Sequence, residues 1–207
     1  MNMAEYQKVK DMTYHQYCDY LQAKYGIGLS DYMTASYNKN RKCSRTKDGL
    51  IAHHKMEDRA IKLSDAAFAR HYPFEWQTKE NIVYCDYLEH LLLHELICEH
   101  PQSENEFLFD VGIGGIVAYL VPELNDLYSG WVTQQLWRKR CHDAVRNDKD
   151  VYMAILAKLL EFEYTASDTA FDVKMLMQSC NAPLGTWDEV NNEPLYDEIA
   201  DIVRCGF

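Results

Sequence analysis

Two short stretches decide the fold of this chain. Residues 48–54 read DGLIAHH, and residues 80–94 read ENIVYCDYLEHLLLH. In the first stretch, an Asp-Gly turn precedes a short run that is compatible with a strand and ends at two adjacent histidines. In the second, a β-favouring run at 82–84 leads into a strongly helical pattern that continues to about Glu99. Together the two stretches predict a strand, a second strand and a helix.

Four of the eight histidines fall into two tight groups within these stretches. His90 and His94 lie four residues apart on the predicted helix, so both side chains share one face and can bind one divalent metal ion. Adjacent residues of a strand point to opposite faces. If His53 turns toward the helix and completes a three-nitrogen site, His54 stays unligated. A free imidazole near a metal ion is suited to take a proton from water.

These residues resemble the HNH endonuclease motif of the ββα-metal fold. In that family a histidine pair ends the first strand, an asparagine begins the second, and a helix then carries H-x-x-x-H. The nine-residue separation of Asn81 from His90 is similar to that of the bacteriocin-type HNH nucleases. The resemblance covers residues 47–100, and the wider segment also resembles uncharacterised HNH-like proteins of Gram-positive bacteria and their phages.

The resemblance implies a role for each residue and a hydrolytic activity on phosphodiester bonds of nucleic acid, DNA in the first place. His54 would be the general base that activates water, and Asn81 would pin the loop that positions His54. The metal ligands would be His53, His90 and His94. One divalent ion, Mg²⁺, Mn²⁺, Ni²⁺ or Zn²⁺, would stabilise charge on the phosphate, and three imidazoles favour the later ions of this set.

Three departures from the compact family members stand out. The stretch between His54 and Asn81 is longer, the Cys-x-x-Cys pairs of many HNH domains do not occur, and the helix that carries His90 is very apolar. The adjacent Glu57 and Asp58 could add a carboxylate near the metal, although a solvated turn is the expected role of that pair.

The charge of the chain is unevenly placed. The formal net charge is −11, which counts against a protein that coats nucleic acid. Residues 39–47, however, contain five cations and no acid, directly upstream of the histidine pair. We expect this basic stretch to hold the nucleic-acid backbone through contacts that carry no sequence information. Its cations are Lys39, Arg41, Lys42, Arg45 and Lys47.

The remainder of the chain reads as mostly helical, so the predicted fold class is α+β, with a small ββα-metal module inside a helical chain. A helix over 13–26 is indicated by a Thr13–Gln16 capping box and a stop at Gly26. A short helix is predicted over 63–70, capped by Ser64. Further helices are predicted over 105–121, 123–146, 150–164, 168–179 and 194–204, with a break near Pro122. The predicted regions are 1–46 (helical arm with the basic stretch), 47–100 (metal module) and 101–207 (helical C-terminal region).

Composition limits the compartment and the partners. The first residues are polar, and the longest apolar runs are too short to span a bilayer. The seven cysteines are scattered and odd in number, which favours reduced thiols. We therefore expect a cytoplasmic protein of a bacterial host or phage, with no membrane partner. The C-terminal region could bind a protein partner or form a homo-oligomer.

Two other functions are compatible with the sequence. An acidic surface can mimic nucleic acid, so the chain could be a catalytically silent interaction protein, such as a phage-encoded inhibitor of a host nuclease or defence system. A purely structural zinc site in a helical scaffold is the other alternative, and it predicts a closed shell of four ligands.

Overall fold

The computed structural model describes residues 1–100, 111–166, 176–178 and 195–202. Its elements are α1 (Met3–Val9), α2 (Tyr14–Tyr25), β1 (Ile51–His54), α3 (Ala66–Ala69), β2 (Ile82–Cys85), α4 (Tyr87–Glu99), α5 (Ile113–Gly115), a π-helical segment (Ile116–Leu120), α6 (Val121–Tyr128), α7 (Leu136–Val145), α8 (Lys149–Ala166) and a helix over 195–202. The α+β class, mostly helical with one small sheet among the described residues, is confirmed. The helix predicted over 168–179 lies outside the described residues except at 176–178, and the start of that predicted over 105–121 also lies outside them.

The two strands form an antiparallel hairpin with a long connection. His53 pairs with Val83 and His54 with Ile82, and the backbone N–H of Lys55 extends the pairing by donating to the Asn81 carbonyl at 2.9 Å. The chain then turns directly into α4. Asp86 caps this helix, because its side chain accepts from the Glu89 N–H while the Glu89 side chain accepts from the Asp86 N–H. The hairpin and α4 are thereby fixed to each other.

The predicted helix over 13–26 is confirmed as α2. Both hydrogen bonds of the Thr13–Gln16 capping box form, and the helix ends at Gly26, whose φ of 82° suits glycine. The apolar stripe of α2 faces the core. Its buried members are Tyr14, Tyr17, Cys18 and Leu21.

Several predicted boundaries are wrong. The short helix is α3, capped by Asp65 rather than Ser64, because the Asp65 carboxylate accepts from the Ala67 N–H. Pro122 does not break the chain; it occupies the first turn of α6, where its missing N–H needs no partner. The single helix predicted over 123–146 is interrupted between α6 and α7, where Gly130 has a φ of 88°.

Helix α4 is the centre of the main core. Eleven of its thirteen residues are buried, and a helix that is apolar on nearly every side is expected to be covered on every side. It packs against α2, α7, α8 and the π-helical segment. A second, smaller cluster lies around the β2 residue Ile82 and joins the basic stretch to the long hairpin connection. Its other buried members are Tyr32, Met33, Cys43 and Ala69.

The buried Glu95 of α4 predicts an unusual pH dependence of stability. Its Oε2 accepts from Lys158 Nζ at 3.1 Å, its Oε1 has no partner, and burial raises the pKa of the carboxyl group to about 7. A carboxyl group whose pKa is raised on folding stabilises the fold at low pH, and that stabilisation is lost as the pH rises through the folded pKa.

We expect Glu95→Gln to remove this loss. Denaturant unfolding of the two proteins in chelator should show the variant gaining about 2 kcal/mol relative to wild type between pH 5.5 and pH 8. Lys158 keeps Glu99 at 2.6 Å and the Lys10 carbonyl at 2.9 Å as partners in the variant. Parallel stability profiles for the two proteins would contradict the prediction.

Membrane-spanning segments and the state of the cysteines can be examined within the described residues. Within the described ranges no helix combines the length and the apolar character needed to cross a membrane. The described cysteines are all free and buried, as expected for core thiols. They are Cys18, Cys43, Cys85, Cys98 and Cys141.

Candidate metal centre

Four side chains from three neighbouring pieces of the chain converge between the hairpin and α4. The end of β1 supplies His53, the turn that follows supplies Glu57, and one face of α4 supplies His90 and His94. One potential ligand atom of each residue lies within 4.8 Å of all the others. His53 and His94 are buried, whereas Glu57 and His90 are partly exposed, so the cluster has one side toward solvent.

The four ligand atoms form a closed ring of short separations. His53 Nδ1 lies 3.0 Å from His90 Nε2, which lies 3.1 Å from His94 Nε2. Glu57 Oε2 closes the ring at 3.6 Å from His94 Nε2 and 3.3 Å from His53 Nδ1. Metal–ligand bonds of about 2.0–2.2 Å place neighbouring ligands of one ion roughly 2.8–3.6 Å apart, with the longer separations at tetrahedral angles. The cluster could therefore hold a metal ion.

Tyr14 of α2 sets the tautomer of His53. The Tyr14 hydroxyl donates to the His54 carbonyl at 3.1 Å and contacts His53 Nε2 at 2.8 Å. Since a carbonyl can only accept and the hydroxyl has one proton, both contacts are hydrogen bonds only when the hydroxyl accepts from Nε2–H of His53. The lone pair of His53 is then left on Nδ1, the atom that belongs to the ring of ligands.

The backbone of the α5 region sets the tautomer of His94. His94 Nδ1 lies 3.1 Å from the Gly112 carbonyl and must donate to it, which leaves the lone pair on Nε2. The approach is close because of glycine. A Cβ on Gly115 would lie 2.7 Å from His94 Nδ1, and Gly112 has a φ of 91°. Glycine at these two positions therefore allows the backbone to pack directly against the His94 imidazole.

His90 is the member of the ring without a second partner. Its Nδ1 is buried and makes no hydrogen bond with any described residue, while its Nε2 faces the two lone pairs of His53 and His94. At most one N–H can be present at that point, and it would have to be shared between two acceptors. A cation at the centre would satisfy all three nitrogens at once.

Protonation also favours a cation over protons at the centre. Burial lowers the pKa of His53 to about 3, lowers that of His90 well below its usual value, and lowers that of His94. Although burial favours the neutral acid, His53, His54 and His94 together hold the pKa of Glu57 below its usual value. At neutral pH the cluster therefore presents three neutral imidazoles and one carboxylate, the forms that bind metal.

His54 lies beside this ring and does not belong to it. Its Nδ1 is 3.3 Å from Glu57 Oε1, and its Nε2 is 3.1 Å from Gln77 Oε1. The Gln77 amide is oriented by its other end, because Nε2 donates to the Leu63 carbonyl at 3.1 Å. Both ring nitrogens of His54 thus face oxygen acceptors, and the side chain is only 1% exposed.

Asn81 acts at the base of the loop that carries Gln77. Its side-chain Nδ2 donates to the Glu75 carbonyl at 2.8 Å, within the 3₁₀ turn Phe74–Gln77. Its own carbonyl accepts from the Lys55 N–H, one residue after His54. Asn81 therefore ties the loop behind His54 to the end of the hairpin and does not reach the ring of ligand atoms.

The basic stretch lies beside His54, and its five cations have different surroundings. The ring of Tyr32 packs 4.4 Å from that of His54, and Lys39 Nζ lies 5.1 Å from the centre of the Tyr32 ring. Arg45 is half-buried, donating to the Tyr25 carbonyl at 2.7 Å and to Asp48 at 2.9 Å. The remaining cations are exposed, and they are Arg41, Lys42 and Lys47.

Three participants were not predicted as such from the sequence. Glu57 was expected in a solvated turn, yet it supplies the fourth candidate ligand. Its separation of four residues from His53 was the available signal. Tyr14 and Gln77 reach the site from elements 39 and 23 residues away from their partners, and no local pattern marks them. The other flanking histidines, His71 and His100, are exposed.

Comparison with known proteins adds no assignment, because no family model, curated protein or solved structure matches this chain.

Proposed function

We propose that this protein is a metal-dependent endonuclease of the HNH type that hydrolyses phosphodiester bonds of nucleic acid, with DNA as the preferred candidate substrate. The observation that carries the proposal is the ring of ligand atoms at 3.0–3.6 Å, supplied by the end of a first strand and by an H-x-x-x-H helix. The strand–strand–helix order and the position of Asn81 agree with the family that the sequence resembles.

The residues around the ring have the chemistry that such a reaction requires. His53, Glu57, His90 and His94 would hold one divalent ion, which when bound would stabilise negative charge on the scissile phosphate. His54 is the nearest imidazole outside the ring, and its Nδ1 lies 3.3 Å from Glu57 Oε1, which can accept from an Nδ1–H. A neutral His54 whose Nε2 has left Gln77 can take a proton from water. In this proposal, the contact between Gln77 Oε1 and His54 Nε2 must break before His54 can act as the base.

The test is cleavage of supercoiled plasmid by the purified protein with Mg²⁺, Mn²⁺, Ni²⁺ or Zn²⁺, alongside His54→Ala. We expect metal-dependent nicking or linearisation that falls by about 10²–10⁴-fold in the variant, the usual contribution of a general base. Metal binding by calorimetry should persist, since His54 is not in the ring. His71→Ala, which changes an exposed histidine of the same hairpin connection, is the matched control and should cleave normally.

Undiminished cleavage by His54→Ala would refute the role of this residue as the base. Absence of cleavage with every ion, from wild-type protein that binds one, would refute the nuclease.

A structural metal centre is the second candidate, favoured by one specific observation. The ring already contains four protein ligands, and both nitrogens of the buried His54 are occupied by acceptors. Closed four-ligand shells are typical of sites that stabilise a fold. This candidate predicts that chelation lowers the melting temperature and that no ion supports cleavage. An endonuclease would show the lower melting temperature together with metal-dependent cleavage.

A further inference from the structure

The hairpin connection and the basic stretch carry positive charge that the metal centre does not use. Residues 32–79 contain ten Lys or Arg against five Asp or Glu, a net charge of +5, within a chain whose net charge is −11. Eight of these cations are exposed, and only Arg59 and Lys79 among the eight form an ion pair with an acid in the described part of the chain. The other six are Lys39, Arg41, Lys42, Lys47, Lys62 and Arg70.

Aromatic rings are interleaved with these cations. The Arg70 guanidinium lies 5.6 Å from the centre of the Tyr37 ring, and Tyr37 meets Phe74 edge-on at 5.6 Å. Tyr72 and Trp76 stack on each other at 5.0 Å with an angle of 13° between their planes. All four rings are half-buried, so each residue keeps part of its surface toward solvent. Stacked rings next to unpaired cations are the elements of a surface for unpaired bases and phosphates.

The framework behind these rings holds them in place. Tyr37 has a φ of 60°, a left-handed conformation that costs free energy in a residue with a side chain, and its N–H donates to the Thr34 carbonyl at 2.7 Å. The Tyr37 side chain packs against the small core around Ile82. A ring held this way loses little conformational entropy when a base stacks on it.

We propose that the surface formed by Tyr37, Lys39, Arg70, Tyr72, Phe74 and Trp76 binds a single-stranded segment of nucleic acid. Bases stack on the rings, which a duplex does not allow because its base faces are covered, and phosphates contact the cations. The surface adjoins the metal centre, since Lys39 lies over Tyr32 and Tyr32 contacts His54. This inference rests on the proposed nuclease for its substrate class, and the strand would lead from the surface to His54.

The test is binding of a fluorescently labelled 20-nucleotide single-stranded DNA, followed by anisotropy in EDTA so that neither metal nor cleavage contributes. We expect binding that weakens with salt. Trp76→Leu, which keeps apolar bulk and loses stacking, should weaken binding about tenfold or more, whereas Trp76→Phe should retain most of it. Trp137→Leu is the matched control, because Trp137 is 45% exposed on α7, and it should bind like wild type.

A second variant tests the same surface without changing an aromatic residue that also packs in the fold. Arg70→Gln changes an exposed side chain and should reduce the slope of log affinity against log salt by about one. Equal affinity for a duplex of the same sequence, no binding in EDTA, or unchanged binding by both Trp76→Leu and Arg70→Gln would each overturn the proposal. Binding by wild type without cleavage in any metal would instead refute the nuclease and leave this surface standing.

Discussion

Substituting Gly115 by alanine is expected to weaken metal binding by about 10–100-fold, the range found when a contact that orients a metal-binding histidine is lost. The backbone of Gly115 is helical, with φ −67° and ψ −39°, so alanine is compatible with its conformation. The obstacle is space, because the added Cβ would lie 2.7 Å from Nδ1 and 2.9 Å from Nε2 of His94. Either the imidazole leaves the ring of ligands or the α5 backbone moves away and removes the Gly112 carbonyl from Nδ1.

The measurement is a calorimetric titration with Zn²⁺ or Ni²⁺, together with thermal unfolding of the metal-free protein. Alanine favours a helix over glycine by about 1 kcal/mol, so helix propensity alone would not destabilise the metal-free fold of the variant. Lower metal affinity with an intact metal-free fold would therefore place the effect of the substitution at the metal centre. Gly114→Ala is the matched control, since a Cβ at Gly114 meets nothing within 4 Å. Equal affinities for the Gly114 and Gly115 variants would show that His94 does not bind the ion.

Removing His90 should have the largest effect on the centre. Its Nε2 is the atom that lies 3.0 Å from His53 Nδ1 and 3.1 Å from His94 Nε2. His90→Ala should lower metal affinity by at least about 100-fold, more than the loss of an orienting contact does, and should abolish cleavage. Since its Nδ1 has no described hydrogen-bond partner, the metal-free variant should unfold only slightly more easily than wild type.

Thermal unfolding with and without Zn²⁺ separates these effects. An ion at about 100 times its dissociation constant stabilises the wild-type fold by roughly 2.7 kcal/mol, and this increment should disappear in the variant. His100→Ala, an exposed histidine just after α4, should keep the full increment. An undiminished increment in His90→Ala would place the ion elsewhere.

The parts of the site that the sequence predicted are those with a short-range signal. The spacing of His90 and His94 on a strongly helical pattern fixes their common face, and the adjacent pair at 53–54 must divide between two faces of a strand. The structure has these features: His53 faces α4 and His54 faces the small core beside Tyr32. The separation of four residues between His53 and Glu57 is also a short-range signal. Carboxylates are so common in turns, however, that this spacing alone did not predict a metal ligand.

The parts that were missed depend on long-range packing. Tyr14 approaches His53 because α2 crosses the hairpin, and Gln77 approaches His54 because a 3₁₀ turn folds back behind it. The interruption between α6 and α7 depends on the local backbone conformation, which the hydrophobic periodicity of the sequence does not indicate. Gly130 adopts a left-handed φ and stops a pattern that otherwise continues in helical register.

The way in which the hairpin closes has a consequence for how such a protein can diversify. The last paired residues are His54 with Ile82, and Lys55 N–H to the Asn81 carbonyl adds one more bond. Residues 56–80 thus form a loop whose two ends are clamped side by side. Between Glu57 and Gln77, that loop could therefore change in length or sequence while the candidate ligands on β1 and α4 keep their positions. A change in the surface of that loop would then leave the candidate metal centre intact.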